Sequence, residues 1–196
     1  MKKPKVMALV SNGVEEMELV ITVDILRRGG IDVDIVSIQH QTVNCSRMTK
    51  IVADKLIDQV VIEEYDVLFI PGGAENAKNL KESTIAKKII EFFWNSGKLI
   101  AAICAGPTVV NHYIPLDNFK ATCYPSLSNE LKNYVDSAVV EDGNLITSQG
   151  PATTFHFALS LLEKIKGKEL KETVAQSTLF TKHLQEKSSF QISKIS

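Results

Sequence analysis

Apolar residues arrive along the chain in short unbroken runs, at residues 5–10, 31–38, 67–70 and 98–103, with a further run at 144–147. A strand with one wet face alternates apolar and polar positions. Runs without alternation, rich in Val, Ile and Leu, fit strands covered on both faces, which is the condition of a parallel sheet. Between these runs the spacing changes. Residues 16–28 carry Met17, Val20, Ile21 and Ile25 close to a period of 3.6, the mark of a helix with one apolar stripe. Residues 83–94 read as a second helix, opened by a Ser-Thr pair suited to capping, and a third is predicted from about Pro151 to Lys166, stopped by Gly167. Strand and helix therefore alternate over most of the chain. That order predicts an α/β fold, a mainly parallel central sheet with helices on both faces. Residues 43–62 are less regular, and the portion 43–52 is predicted as a small hairpin at the sheet edge. No repeat, linker or low-complexity segment breaks the pattern. A single domain over residues 1–180 is expected, followed by a polar, Ser/Lys-rich tail at 181–196 that frays or lies as a short surface helix.

Composition narrows the functional classes. With 196 residues, 44% of them hydrophobic, the chain can bury a substantial core unaided. Twenty-two basic residues nearly balance twenty-three acidic ones, with no Lys/Arg run long enough to track a phosphate backbone, so nucleic acid is excluded as the expected partner. The basic opening is followed only by the short apolar run 6–10, too short for a signal peptide or a membrane span, which predicts a cytoplasmic protein without membrane attachment. Three widely spaced cysteines, Cys45, Cys104 and Cys123, fit neither a disulfide framework nor a zinc site. Each is expected as a reduced thiol.

In an open parallel sheet, ligands bind where the carboxyl ends of strands pass into helix N-termini. Cys104 stands at such an end. Residues 98–103 form the strand and Ala105-Gly106-Pro107 opens a helix, so the thiol occupies a sharp turn of the nucleophile-elbow kind. A cysteine after an apolar strand is more often plain core; the Gly-Pro behind it and the helix N-terminal amides, which favour a thiolate, argue for chemistry. Pro71-Gly72-Gly73 ends the preceding strand in the same fashion. On its own this is only a turn signal, but Gly72 and Gly73 let backbone N–H groups approach a ligand, which is how an oxyanion site is built. No Gly-x-Gly-x-x-Gly dinucleotide fingerprint is present. After the first strand come Glu15, Glu16 and Glu18. Carboxylates there complement the helix dipole, yet steps of ~100° keep the three off one face and leave Glu18 able to point back at the strand ends, buried.

Taken together, Glu15-Glu16-Met17-Glu18, Arg27-Arg28-Gly29-Gly30-Ile31, Cys45-Ser46-Arg47, Pro71-Gly72-Gly73, Ala101-Ala102-Ile103-Cys104-Ala105-Gly106-Pro107 and Thr147-Ser148-Gln149-Gly150-Pro151 resemble the Parkinsonism-associated deglycase branch of the ThiJ/PfpI superfamily. The Cys-Ala-Gly-Pro block with its upstream Glu is the most specific part. The resemblance implies a flavodoxin-like three-layer sandwich, a homodimer, and an elbow cysteine that oxidises readily to sulfinate. It also implies cofactor-free and metal-free glyoxalase or protein deglycase activity, on α-oxoaldehydes such as methylglyoxal or on early glycation adducts of side chains, with a part in the oxidative stress response. Carried over by position, Cys104 is the nucleophile, Glu18 its carboxyl partner, and Gly73 and Ala105 supply oxyanion N–H groups. Arg28 with Arg47 would form an anion site near Cys104, one that could be shared across the dimer, and Cys45 with Arg47 would lie at the dimer contact. One departure stands out. Where many relatives place a histidine, this chain has Tyr124, and a phenol of unperturbed pKa ~10 is no resting general base at neutral pH. A cysteine peptidase mechanism thereby loses its base, His112 being the other histidine close in sequence to the elbow. The competing class is a redox sensor or chaperone read through oxidation of Cys104. Either role implies one charge on a coupled pair, and the expectation is a Cys104 thiolate at neutral pH beside a protonated Glu18, with Cys45 and Cys123 as structural thiols.

Overall fold

The computed structural model describes residues 3–181. The tail predicted at 181–196 thus lies, past Thr181, outside the described residues. In chain order the elements are β1 (Lys5–Val10), α1 (Glu16–Arg28), β2 (Asp32–Ser37), β3 (Thr42–Asn44), β4 (Lys50–Val52), β5 (Lys55–Leu56), β6 (Val67–Ile70), α2 (Ala74–Glu82), α3 (Thr84–Asn95), β7 (Leu99–Ile103), α4 (Gly106–Tyr113), β8 (Val139–Asp142), β9 (Leu145–Ser148), α5 (Thr154–Lys166) and α6 (Lys168–Ser177). Seven strands form one sheet in the order β5-β2-β1-β6-β7-β9-β8, parallel throughout except that β8 runs antiparallel to β9. The α/β class with a mainly parallel sheet is as the sequence predicts.

The unbroken apolar runs have the predicted cause. Along β1, Val6, Ala8 and Val10 point to one face and Met7 and Leu9 to the other, and all five are fully buried. The first face is covered by α1, α5 and α6 through Leu19, Val23, Phe157 and Val174. The second is covered by α2, α3 and α4 through Leu80, Ile89, Phe93 and Val109. Each fully buried Leu, Ile or Phe contributes ~1.5–3 kcal/mol of transfer free energy, so both layers hold the sheet strongly. Ser83 caps α3 as expected, its Oγ accepting the Ala86 N–H at 3.2 Å.

The hairpin requires a correction. β3 and β4 pair antiparallel as predicted, but as a separate two-stranded sheet rather than as an edge of the main one. Its hydrogen bonds run to the β1–α1 loop instead: Gly13 N–H donates to Asn44 O at 2.7 Å and Ser46 N–H to Val14 O at 2.8 Å. The edge position beside β2 is taken by β5.

Candidate active site

Four neighbouring strands, β1, β6, β7 and β9, end on one side of the sheet, and their loops converge. Cys104 follows β7 with φ of 62°, a left-handed conformation that costs a non-glycine residue ~1–2 kcal/mol. Neighbours hold it there: its N–H donates to Ser148 O at 2.9 Å, and its carbonyl accepts the Tyr124 N–H at 2.9 Å. Gly106 is required behind it, because a Cβ at that position would lie 2.4 Å from the Ile70 carbonyl oxygen. The elbow predicted from Gly-Pro is therefore real, strained and packed against the end of β6.

The three glutamates divide the work. Glu15 caps α1, its side chain accepting the Glu18 N–H at 2.8 Å. Glu16 reaches the β3–β4 turn, bonding Ser46 Oγ at 3.0 Å and the Arg47 N–H at 3.1 Å. Glu18 is fully buried and turns to the strand ends, where Oε2 accepts the Gly72 N–H at 2.7 Å. Oε1 is buried without a hydrogen-bond partner among the described residues. The carboxyl and the Cys104 thiol are hydrogen-bonded and electrostatically coupled, and the N–H groups of Gly73 and Ala105 face the sulfur. Gly72 departs from its predicted part: its N–H is committed to Glu18, so the donors open to an oxyanion at sulfur are those of Gly73 and Ala105.

Burial raises the Glu18 carboxyl to about 8, the Gly72 N–H and the thiol opposing. It is protonated at neutral pH, as expected. The expectation of a resting Cys104 thiolate is corrected. Burial pushes the thiol well up, an ionised Glu18 adds to the push, and the Gly73 and Ala105 amides only partly hold it down. Helix-terminal amides favour sulfur's charge, but desolvation in this closed cleft outweighs them. Burial therefore opposes charge on both members of the pair. Burial also lifts Cys45 and Cys123 to about 11 each, in keeping with structural thiols.

Other predicted residues fall further off. Arg28 lies in the last turn of α1, about 15 Å along the axis from Glu18 at ~1.5 Å per residue, and pairs with Asp24 at 2.6 Å. Arg47 stands at the other end, on the hairpin turn. One chain does not bring the two together at Cys104, so the intrachain form of the predicted anion site is corrected by the length of the helix between them. Tyr124 is beside the elbow, 46% exposed, its ring against Gly150. His112 is in the last turn of α4 with its ring against Tyr113. Sequence reasoning missed Asn76, a fully buried amide at the start of α2 that bonds the Pro71-Gly72-Gly73 turn; a polar residue in the first helical turn after Gly-Gly was the available signal. Among the described residues no group of His, Cys, Asp and Glu could hold a metal ion, and no helix is long and apolar enough to cross a membrane.

With the geometry in hand, comparison with known proteins is informative. The DJ-1/PfpI family matches residues 4–164. The chain is 39% identical to protein dj-1beta of Drosophila melanogaster over 178 residues, covering 88% of this chain and 95% of that protein. It is 34% identical to the glutathione-independent glyoxalase DJR-1.2 of Caenorhabditis elegans, covering 86% of this chain and 91% of that one. The crystal structure of Drosophila melanogaster DJ-1beta superposes with a TM-score of 0.85 at 37% identity, over 91% of this chain and 98% of the other. The fold is accordingly flavodoxin-like.

Proposed function

Because the chain belongs to the DJ-1/PfpI family, we propose that the Cys104–Glu18 pair makes it a cofactor-free glyoxalase, acting on α-oxoaldehydes such as methylglyoxal or on early glycation adducts with the same oxo-carbon pair. The observation that carries this reading is a fully buried carboxyl, held by the Gly72 N–H, beside a thiol on a strained elbow; burial raises that carboxyl to about 8. A general base works best when its pKa lies near the operating pH, and Glu18 meets that condition.

The Cys104 sulfur adds to the aldehyde carbon and the thiol proton passes to the aldehyde oxygen, giving a hemithioacetal held by the Gly73 and Ala105 amides. Glu18 acts in its ionised form, a fraction that grows as pH rises toward its value of about 8. The Glu18 carboxylate then takes the proton from the former aldehyde carbon and returns it to the neighbouring carbon, while the hydroxyl proton passes from the first oxygen to the former ketone oxygen, leaving a lactoyl thioester. Water cleaves the thioester to lactate and restores the thiol. The test is lactate formed from methylglyoxal without glutathione by purified protein. Cys104→Ala is expected at background, and turnover by that variant at the wild-type rate would overturn the reading.

Tyr124 is outside this scheme. Tyr124→His is expected to change turnover less than tenfold, because the proton carrier is Glu18 and the tyrosine contributes its backbone N–H to Cys104. A gain of a hundredfold, worth about 2.7 kcal/mol of barrier, would instead mark an imidazole as the missing base.

The same reading includes a homodimer. Met17 and Val20, one helical step apart on α1, are 50% and 49% exposed, and Met48 on the hairpin turn is 84% exposed. Glu16 ties that turn to α1, so exposed apolar side chains stand on two linked elements, and two-fold pairing is a common way to cover them. A dimer mass by light scattering is expected for the wild type and a monomer mass for Met17→Glu/Val20→Glu. A monomeric wild type at micromolar concentration would remove this part.

A further inference from the structure

Two of the three N–H groups that face the reacting pair belong to consecutive peptide units. Gly72 N–H, bonded to Glu18 at 2.7 Å, shares a planar peptide with the Pro71 carbonyl. Gly73 N–H, which faces the Cys104 sulfur, shares the next with the Gly72 carbonyl. No peptide bond is cis among the described residues. In a trans peptide the N–H and C=O point in opposite directions from one plane, so whatever holds the oxygen also aims the hydrogen.

One side chain holds both oxygens. Asn76 Nδ2 donates to Pro71 O at 3.0 Å and to Gly72 O at 3.2 Å. Its Oδ1 accepts the Ser11 N–H at 2.7 Å and the Ser11 hydroxyl at 3.1 Å, anchoring the amide to the end of β1. All four hydrogen-bonding positions of the amide are filled, and Asn76 is fully buried. Such a clamp has a specific task here. Gly72 and Gly73 lack Cβ atoms, and Gly73 has φ of 95°, so their side chains do not restrain either peptide plane; besides Asn76, the Glu15 N–H donates to Gly72 O at 3.2 Å, whereas the Pro71 oxygen is held by Asn76. Rotation of the first would take its N–H from Glu18 and put a carbonyl there. Rotation of the second would do the same at the sulfur.

We propose that Asn76 is a positioning residue for the Cys104–Glu18 pair, its buried amide gripping the oxygen ends of the two peptide units whose N–H ends serve Glu18 and Cys104. The inference rests on reading those two residues as the reacting pair, and it adds what fixes their proton balance. Both N–H groups favour the charged form of the atom they face, so loss of the clamp moves both titrations to higher pH.

The test is the iodoacetamide alkylation rate of Cys104 against pH, followed by mass spectrometry, with unfolding midpoints alongside. For Asn76→Ala the profile is expected to move up by about one unit, with the rate at a fixed pH on its rising limb down about tenfold. Asn79→Ala removes neighbouring bonds to Ser11 Oγ and Asn12 O but leaves those of Asn76; it is expected to lose stability with an unmoved profile. An Asn76→Ala profile superimposed on the wild type, whatever its unfolding midpoint, would overturn the proposal. Should Asn76→Ala fail to fold, the wild type suffices: by NMR the Asn76 side-chain amide and the Gly72 and Gly73 amides are expected to shift with one midpoint near the Glu18 value of about 8, and a static Asn76 signal would overturn it. Alkylation and NMR need no aldehyde. A wild type that makes no lactate would therefore sink the glyoxalase reading and leave this test standing.

Discussion

Glu18→Gln is expected to lower methylglyoxal turnover at least a hundredfold while Cys104 alkylates as fast as in the wild type, or faster. Glutamine can keep the contact with the Gly72 N–H through its amide oxygen, yet it cannot carry a proton between carbons, and general acid–base steps are worth ~10²–10⁴ in rate. The thiol responds in the other direction. After burial, the repulsion of an ionised Glu18 is what pushes it up, and the neutral amide removes that contribution. Parallel loss of turnover and alkylation would show that Glu18 acts on the thiol rather than on carbon. Wild-type turnover is expected to rise with pH and level above the Glu18 value of about 8, and that limb should be absent from the residual activity of Glu18→Gln. Stability provides an independent reading of the same group. A carboxyl raised from 4.5 to about 8 on folding supports the fold fully below about pH 4.5 and gives that support up as pH rises through about 8. Over this window the wild type is expected to lose roughly 4–5 kcal/mol in urea unfolding, whereas Glu18→Gln, with nothing to ionise there, should hold a flatter curve.

The sequence made this site partly legible because strand ends are predictable where strands are buried on both faces. Residues 67–70 and 98–103 have no polar alternation, so their ends, and with them Gly72, Gly73 and Cys104, could be located without coordinates. Elements with little to bury were harder to see. In α2, whose sequence is AENAKNLKE, only Asn76, Ala77 and Leu80 are buried, and in α6 only Val174 and Ala175; stripes this narrow leave a weak period. The β8 strand, VVED on the sheet edge, has one buried residue. Asn76 was invisible for another reason: its partners Ser11, Pro71 and Gly72 meet it only after β1 and β6 have paired. The thiolate expectation failed through an omitted quantity. Counting amides at a helix start gives the sign of one contribution to the thiol, but burial, which outweighs it here, depends on how closely the four loops pack.

How closely they pack is tested by Gly72→Ala, expected to cost turnover about a hundredfold or more with the backbone otherwise folded. A Cβ at residue 72 would lie 2.6 Å from Cys104 Cβ, 2.6 Å from Glu18 Oε2 and 3.0 Å from Cys104 Sγ. Cys104 cannot retreat, since its N–H and carbonyl are both bonded across the elbow. Glu18 is fully buried with no solvent to turn into. The methyl group must therefore separate the pair or displace the Pro71–Gly73 turn that Asn76 holds. Overpacking of this kind costs ~1–3 kcal/mol of stability, and a misplacement of ~1 Å between reacting groups costs ~10² in rate. Gly30→Ala is the matched control. Gly30 has φ of 71° with nothing within 4 Å of its built Cβ, so alanine there adds backbone strain of ~1–2 kcal/mol and no collision. Comparable destabilisation of the two variants, with turnover lost only in Gly72→Ala, would assign the loss to the separated pair. Equal turnover in both would mean that the cleft widens without penalty and that contact between Glu18 and Cys104 is not what the reaction needs.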